Sequence, residues 1–177
     1  LGGKLYGIPH HATKILVYDP RNNLTTGVDV SAIALGNSKW LAGVAISGKV
    51  CGVPCNADSI LLYDPVTSKA GSVQIKHLAS GPFKWLAAVT VGGRLYAVPS
   101  HADCILIFDL LLGKAWGVDT RKVAVGEGKW LSAVVHKGKI YGIPDRADSI
   151  LVFDPQKEEV SGIDITHIAQ GTGKWQA

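Results

Sequence analysis

Residues 39–54 read Lys-Trp-Leu-Ala-Gly-Val-Ala-Ile-Ser-Gly-Lys-Val-Cys-Gly-Val-Pro. Residues 84–99 and 129–144 repeat that pattern, and Lys174-Trp175 begin it again. Trp40, Trp85, Trp130 and Trp175 stand 45 residues apart. The same interval separates Pro9, Pro54, Pro99 and Pro144, and again Asp19, Asp64, Asp109 and Asp154. No insertion or deletion breaks the register. Self-similarity at a fixed period of this length marks a repeat architecture, in which each unit buries its apolar face against the next. Equal units present a surface more readily than they hide one catalytic constellation.

One unit reads as strands. Residues 40–46 are apolar throughout and bounded by Ser47-Gly48-Lys49, which predicts a strand buried on both faces. Residues 50–54 form a second strand, ended by a proline that cannot donate to a sheet ladder. After the loop Cys55-Asn56-Ala57-Asp58, residues 59–63 form a third strand, closed by a turn at Asp64-Pro65. Residues 72–75 alternate and predict a half-buried outer strand. One helical turn is expected between Lys76 and Lys84.

Four antiparallel strands in about 45 residues make the blade of a β-propeller. The expected fold is all-β: a propeller of four-stranded antiparallel blades forming one domain over 1–177. The repeats fall at about 1–39, 40–84, 85–129 and 130–174, with 175–177 starting a further inner strand. Small residues suit the crowded inner strand, and Ala42-Gly43, Ala87-Ala88 and Ser132-Ala133 supply them. Ala177 corresponds to Ala42 and Leu1 to Ile46, so about three residues would bridge the two ends in register. This favours a four-bladed ring, with Trp175-Gln176-Ala177 pairing beside the N-terminal strands. The alternative is part of a larger propeller.

Composition narrows the rest. A hydrophobic content of 47% in 177 residues predicts a folded domain. No apolar stretch is long enough to span a bilayer, and residues 1–6 show no signal-peptide pattern. There is no methionine, and the chain reads as a processed piece or an excerpt of a longer polypeptide. The net charge of +4 suggests an anionic partner, but eight of the 18 basic residues fall on two repeat positions. These are Lys4, Lys49, Arg94 and Lys139, and Lys39, Lys84, Lys129 and Lys174. Charge spread once per unit is not a nucleic-acid stripe, and nucleic acid is not the expected partner. Cys51, Cys55 and Cys104 are odd in number and off the repeat, which points to free thiols in an intracellular, reducing compartment. A Cys51–Cys55 bridge stays open on spacing alone.

The turn Tyr63-Asp64-Pro65-Val66-Thr67, with Tyr18-Asp19-Pro20, Phe108-Asp109 and Phe153-Asp154-Pro155, resembles the third-strand ending of Kelch-type repeats. Where Kelch repeats carry Gly-Gly after strand two, this chain has Gly52-Val53-Pro54. The stretch from Leu86 to Tyr96 is similar to the start of a hemopexin-type blade, with Leu86 in place of that family's Asp. The unit at 138–155 also resembles repeat arrays of uncharacterised proteins from unicellular eukaryotes. These resemblances imply propeller architecture and carry little about function, because propellers host many functions.

The candidate sites separate into positions the repeat holds and positions it leaves free. The four tryptophans are expected to pack between blades. Asp58, Asp103 and Asp148 share a loop position with Thr13. A cation ring is conceivable there, but acceptance of backbone N–H bonds by the side chains is the stronger expectation. The lysine before each Trp is expected to be solvated or paired with a nearby Asp, rather than to form an anion-attracting ring. Between each fixed Pro and fixed Ala lie two free residues: His10-His11, Cys55-Asn56, Ser100-His101 and Asp145-Arg146. Fixed neighbours with varied tips are how a scaffold carries a binding site, so these residues and the off-pattern Trp116 are the candidate contacts. His10, His11, Cys55, His101 and Asp145 are metal-capable types, yet separate blades would hold them apart, and no metal or other cofactor is expected.

No nucleophile motif, phosphate-binding glycine loop or paired cysteine ligands appear, and no catalytic residue is assigned. The leading expectation is a non-catalytic, protein-binding or scaffold propeller, or an accessory subunit of a larger assembly. The alternatives are a propeller binding a small ligand or glycan at its central mouth, and a propeller domain of an enzyme whose site is built from several blades.

Overall fold

A computed structural model describes residues 1–175. Strands β1 (Leu5–Gly7), β2 (Lys14–Asp19) and β3 (Leu24–Asp29) form blade 1. Blade 2 is β4 (Trp40–Ile46), β5 (Lys49–Pro54), β6 (Ser59–Asp64) and β7 (Lys69–Gln74). Blade 3 is β8 (Trp85–Val91), β9 (Arg94–Pro99), β10 (Cys104–Asp109) and β11 (Lys114–Asp119). Blade 4 is β12 (Trp130–His136), β13 (Lys139–Pro144), β14 (Ser149–Asp154) and β15 (Glu159–Asp164). Every pairing is antiparallel between chain neighbours, and the described residues contain no helix. This is the all-β propeller of four blades that the 45-residue period predicts, with one difference. Blade 1 contains three strands, and β1 occupies the second-strand position.

Each complete blade opens on its tryptophan, which lies opposite the proline ending the second strand: Trp40 with Pro54, Trp85 with Pro99, Trp130 with Pro144. A register shift follows each of these pairs, and such bulges bend a strand and increase its twist. The indole N–H of Trp40 donates to the Ser59 carbonyl at 2.7 Å. Trp85 donates likewise to Cys104 and Trp130 to Ser149, both at 2.8 Å. One ring therefore fastens the first strand of a blade to the start of its third while filling the seam with the preceding blade.

The core lies in those seams. One cluster joins Ile15 and Val17 of blade 1 to Trp40, Leu61 and Tyr63 of blade 2. A second joins Cys51, Val53 and Ile60 to Trp85, Leu106 and Phe108. A third joins Val98, Ile105 and Ile107 to Trp130, Leu151 and Phe153. Among the described residues no such cluster joins blade 4 to blade 1. The expected pairing of residues 175–177 beside the N-terminal strands involves Gln176 and Ala177, which lie outside the described residues.

Two local expectations are corrected. The inner strand is not buried on both faces: along β4, Trp40 and Ile46 are buried whereas Leu41, Gly43 and Ala45 are exposed. The face of β4 that bears Leu41, Gly43 and Ala45 turns toward the three-stranded blade 1, which covers it only in part, whereas Ala42 and Val44 pack against blade 3. The small residues of that strand answer to the neighbour as well. A Cβ on Gly43 would stand 2.4 Å from Cγ1 of Ile8 in blade 1. The stretch from Lys76 to Lys84 contains a hydrogen-bonded turn rather than a helical one, with Leu78 N–H donating to the Ile75 carbonyl at 2.9 Å.

The turn aspartates behave as their spacing predicts. Asp64 Oδ1 accepts the N–H of Val66 at 2.9 Å and Oδ2 accepts Lys49 Nζ at 2.7 Å. Asp109 does the same with Leu111 N–H and Arg94 Nε, at 3.0 and 2.9 Å. Lys4 and Lys139 stand 3.5 and 3.6 Å from Asp19 and Asp154. One of the two basic repeat positions is thus committed to turn pairing. The Lys49 side chain and the Val66 N–H hold the Asp64 carboxyl down to about 2, below its ordinary 3.8. A depressed carboxylate contributes stability that is complete above the unfolded value and is lost as pH falls through the folded one. Thermal melts should therefore show the melting temperature falling between about pH 4 and pH 2, with a shallower fall in Asp64→Asn.

Candidate functional site

The two ends of each blade differ. The loop between strands two and three and the link into the next blade lie at one end. The tight turns lie at the other. At the loop end a belt of backbone hydrogen bonds runs from blade to blade. Lys39 N–H donates to the His10 carbonyl at 2.9 Å, and Cys55 N–H donates to the Lys39 carbonyl at 2.9 Å. Lys84 N–H donates to Cys55 at 3.0 Å, and Ser100 N–H to Lys84 at 2.9 Å. Lys129 then donates to Ser100, Asp145 to Lys129, and Lys174 to Asp145.

The belt explains the lysine before each tryptophan and corrects the expectation for it. Lys39, Lys84 and Lys129 are neither solvated nor paired with Asp; each is at most 2% exposed. Lys84 Nζ donates to the Gly81 carbonyl at 3.0 Å, and Lys129 Nζ donates to Gly126 at 2.7 Å and Ser100 at 3.0 Å. The acceptor glycines sit at φ of 90–95° (Gly36, Gly81, Gly126, Gly171), a conformation in which a Cβ is strained. Among the described residues the hydrogen bonds of these buried ammonium groups all go to backbone carbonyls. Burial pushes their pKa values below the ordinary lysine range. Lys174 differs: its Nζ donates to Gly171 and also lies 3.8 Å from Asp148.

The belt also sorts the paired loop residues. The first of each pair is a belt member lying inward: Cys55 is 0% exposed, Ser100 1% and Asp145 9%, with His10 half-buried. Burial, His11 and Lys39 together lower the His10 pKa. Burial raises that of the Cys55 thiol. The Ser100 hydroxyl and one Asp145 carboxylate oxygen meet no hydrogen-bond partner among the described residues. The second residue of each pair carries the surface. His11 and Arg146 are exposed, and Asn56 and His101 are half-buried. Their backbones are braced: Asn56 N–H donates to Ser38, His101 to Phe83 and Arg146 to Gly128, at 2.9–3.0 Å. The loops and the interblade links therefore form one continuous face. Asn56 ties the two further, accepting the Phe83 N–H at 2.9 Å and donating to the Asn37 carbonyl at 3.4 Å. The rings of Phe83 and His101 meet edge to face at 5.5 Å.

Asp58, Asp103 and Asp148 act through the backbone rather than through side-chain acceptance. Their carbonyls, like that of Thr13, accept the N–H of Ile75, Thr120, Ile165 and Val30 at 2.8–3.0 Å. A backbone acceptor is indifferent to the side chain, which is why threonine serves in blade 1. Among the described residues, no three histidine, cysteine or acidic side chains converge as metal ligands do. The three cysteines are free, with Cys51 pushed up to about 12 and Cys104 to about 11 by burial.

Trp116 stands apart from the loop face. It lies on the outer strand β11 opposite Ile107, half-buried, with the Arg94 guanidinium 5.4 Å from its ring. Arg94 pairs with the turn residue Asp109, so this stack faces the turn end. There the structure adds residues that the sequence reading passed over. Leu111 and Leu112 are 89% and 62% exposed, in a turn where the other blades carry Asp-Pro. Departure from the repeat was the available signal, the same one that singles out Trp116. A cleft of about 430 Å³ between blades 1 and 2 is lined by Lys4, Tyr6, Thr26, Tyr63 and Val66, and by none of the loop tips.

No protein-family model matches the chain, and no curated protein matches it in sequence. Solved structures match it in fold. Virginiamycin B lyase from Staphylococcus aureus superposes with a TM-score of 0.73 at 11% identity, over 92% of this chain and 52% of the lyase. The WD40 repeats of RRP9 give 0.66 at 10% identity, over 92% and 48%. The extracellular domain of the one-component system BT4673 from B. thetaiotaomicron gives 0.71 at 13% identity, over 92% and 22%. The chain thus spans about half, or less, of the structures it resembles. At these identities the likeness concerns fold alone, and the fold is that of a β-propeller.

Proposed function

We propose that this propeller is a non-catalytic scaffold that binds another protein through the face formed by its strand 2–3 loops and interblade links. One observation carries the reading. In blades 2, 3 and 4 the loop backbones are held at equivalent positions by equivalent hydrogen bonds, while the outward side chains are Asn56, His101 and Arg146, joined on the same face by His11 of blade 1. A rigid frame with varied tips loses little conformational entropy on binding and draws specificity from the tips. WD40 proteins among the structural neighbours support an interaction role by fold analogy. The Kelch-like and hemopexin-like features of the sequence belong to the same reading. The partner is a protein surface able to accept two imidazoles, an amide and a guanidinium.

Affinity capture with the protein as bait, followed by native mass spectrometry, tests it. A stoichiometric partner should be retained by wild type and by Leu111→Ala/Leu112→Ala at the opposite end. It should be lost from His11→Ala/Asn56→Ala/His101→Ala/Arg146→Ala. The quadruple variant should remain folded with a modestly lowered melting temperature: exposed His11 and Arg146 contribute within about 0.5 kcal/mol each, and each lost Asn56 hydrogen bond costs about 1 kcal/mol. Undiminished capture by the folded quadruple variant would refute the assignment.

A further inference from the structure

The turn between the third and fourth strands is built the same way in every blade. Asp19, Asp64, Asp109 and Asp154 each accept, through Oδ1, the N–H two residues further on, at 2.9–3.1 Å. Asn23, Ser68, Gly113 and Glu158 close these turns at φ of 52–62°. The four apices therefore share one conformation and lie at one level of the turn end, and only their side chains differ. Positions 21 and 156 are Arg and Gln, whereas positions 66 and 111 are Val and Leu, with Leu112 beside the latter. Val66 is 91% exposed, Leu111 89% and Leu112 62%. Leu110, by contrast, packs against the core between blades 2 and 3. A single exposed apolar residue is ordinary, but here three crown the rigid turns of two neighbouring blades.

The positive charge gathers at the same end. The turns joining strands one and two and strands three and four carry nine basic residues against six acidic ones, so three of the net four positive charges stand there. In blades 2 and 3 both turn carboxylates are taken up, Asp64 by Lys49 and Asp109 by Arg94. Lys69 and Lys114, which end the turns, are exposed, and among the described residues neither reaches a carboxylate. The unpaired acids of this end, Glu158 and Glu159, belong to blade 4, which also carries Lys137 and Lys157. Trp116 follows Lys114 by two residues on β11, half-buried beneath Arg94. An amphipathic indole at that height suits a boundary between water and lipid.

Convex apolar tips offer no groove for a peptide, and tips of two blades at one level suit a flat partner. With free lysines beside them, they complement a surface that is anionic outside and apolar just beneath. We propose that the turn end of blades 2 and 3 docks on an anionic lipid bilayer. Val66, Leu111 and Leu112 enter the boundary between headgroups and acyl chains, while Lys69 and Lys114 meet the anionic headgroups. Apolar insertion and basic attraction are each weak alone and hold a protein at a membrane in combination. The loop face then points away from the bilayer, so the inference stands whether or not that face binds a protein.

Co-sedimentation with vesicles tests it. At about 0.1 M salt and millimolar lipid, the protein should bind phosphatidylcholine vesicles containing about 30% phosphatidylserine and should stay in solution with phosphatidylcholine alone. Raising the salt to about 0.5 M should release it. Leu111→Ser/Leu112→Ser should lower the partition coefficient at least ~10-fold. Lys69→Gln/Lys114→Gln should lower it about 30-fold, the equivalent of about 1 kcal/mol per lysine near the surface. All four side chains are exposed, so thermal melts should show both variants folded as wild type is. His11→Ala/Arg146→Ala at the loop end should bind vesicles as wild type does. Failure to bind the anionic vesicles would overturn the proposal and leave an acidic protein as the occupant of this end. Equal binding to both lipid compositions, or binding indifferent to the leucine and lysine substitutions, would overturn it as well.

Discussion

Trp85→Ala is expected to lower the unfolding free energy by about 3–5 kcal/mol, the range for removing a buried aromatic from a core. Trp85 is 0% exposed and sits in the cluster that joins blades 2 and 3. Its loss opens a cavity against Cys51, Val53 and Ile60 of the preceding blade. It also leaves the Cys104 carbonyl without its indole donor. That cluster is the apolar contact between blades 2 and 3, so the damage falls on interblade cohesion. Trp85→Phe should recover much of the apolar contact but not the hydrogen bond, and so should fall between wild type and Ala. Urea denaturation followed by the fluorescence of the remaining tryptophans measures both. A loss below about 1 kcal/mol for Trp85→Ala would contradict the seam as the main source of cohesion.

Gly43→Val should destabilise by about 1–3 kcal/mol through overpacking. A Cβ at residue 43 would lie 2.4 Å from Cγ1 and 3.0 Å from Cδ1 of Ile8, so the Ile8 side chain must move. Equivalent positions in blades 3 and 4 carry alanine, Ala88 and Ala133, facing different partners across their seams. The second half of the test is rescue. Ile8→Ala alone creates a cavity, but combined with Gly43→Val it makes room for the added methyl groups. The double variant should therefore be more stable than the sum of the two single losses predicts, a coupling that a double-mutant cycle measures. Strict additivity would show that the clash is relieved elsewhere.

Much of this molecule is legible in the sequence because a repeat states each structural requirement several times. The proline that ends strand two, the aspartate that starts the third-strand turn and the tryptophan of the seam need only local geometry and one neighbour. Spacing therefore reveals them. The loop pairs were legible as variable positions. Their division into an inward residue such as Cys55 and an outward residue such as His11 was not, because both are simply positions that differ between blades. The belt hydrogen bonds make that division, and they join residues far apart in sequence, Cys55 to the Lys39 carbonyl and Lys39 to the His10 carbonyl.

Periodicity alone determined the fold class, the strand order within a blade and the role of the tryptophans, because a unit recurring at 45 residues has one way to bury its apolar face: against its own copy. Only the tertiary structure decided the fate of the lysines and the exposure of individual apolar residues. A lysine in a sequence reads as a surface charge. Its burial at positions 39, 84 and 129 follows from carbonyls that glycines in the positive-φ region turn toward it. An apolar residue in a repeat reads as core wherever it occurs. Leu5, Leu16 and Ile168 show that burial belongs to the neighbour as much as to the residue, and the neighbour is a matter of three-dimensional arrangement.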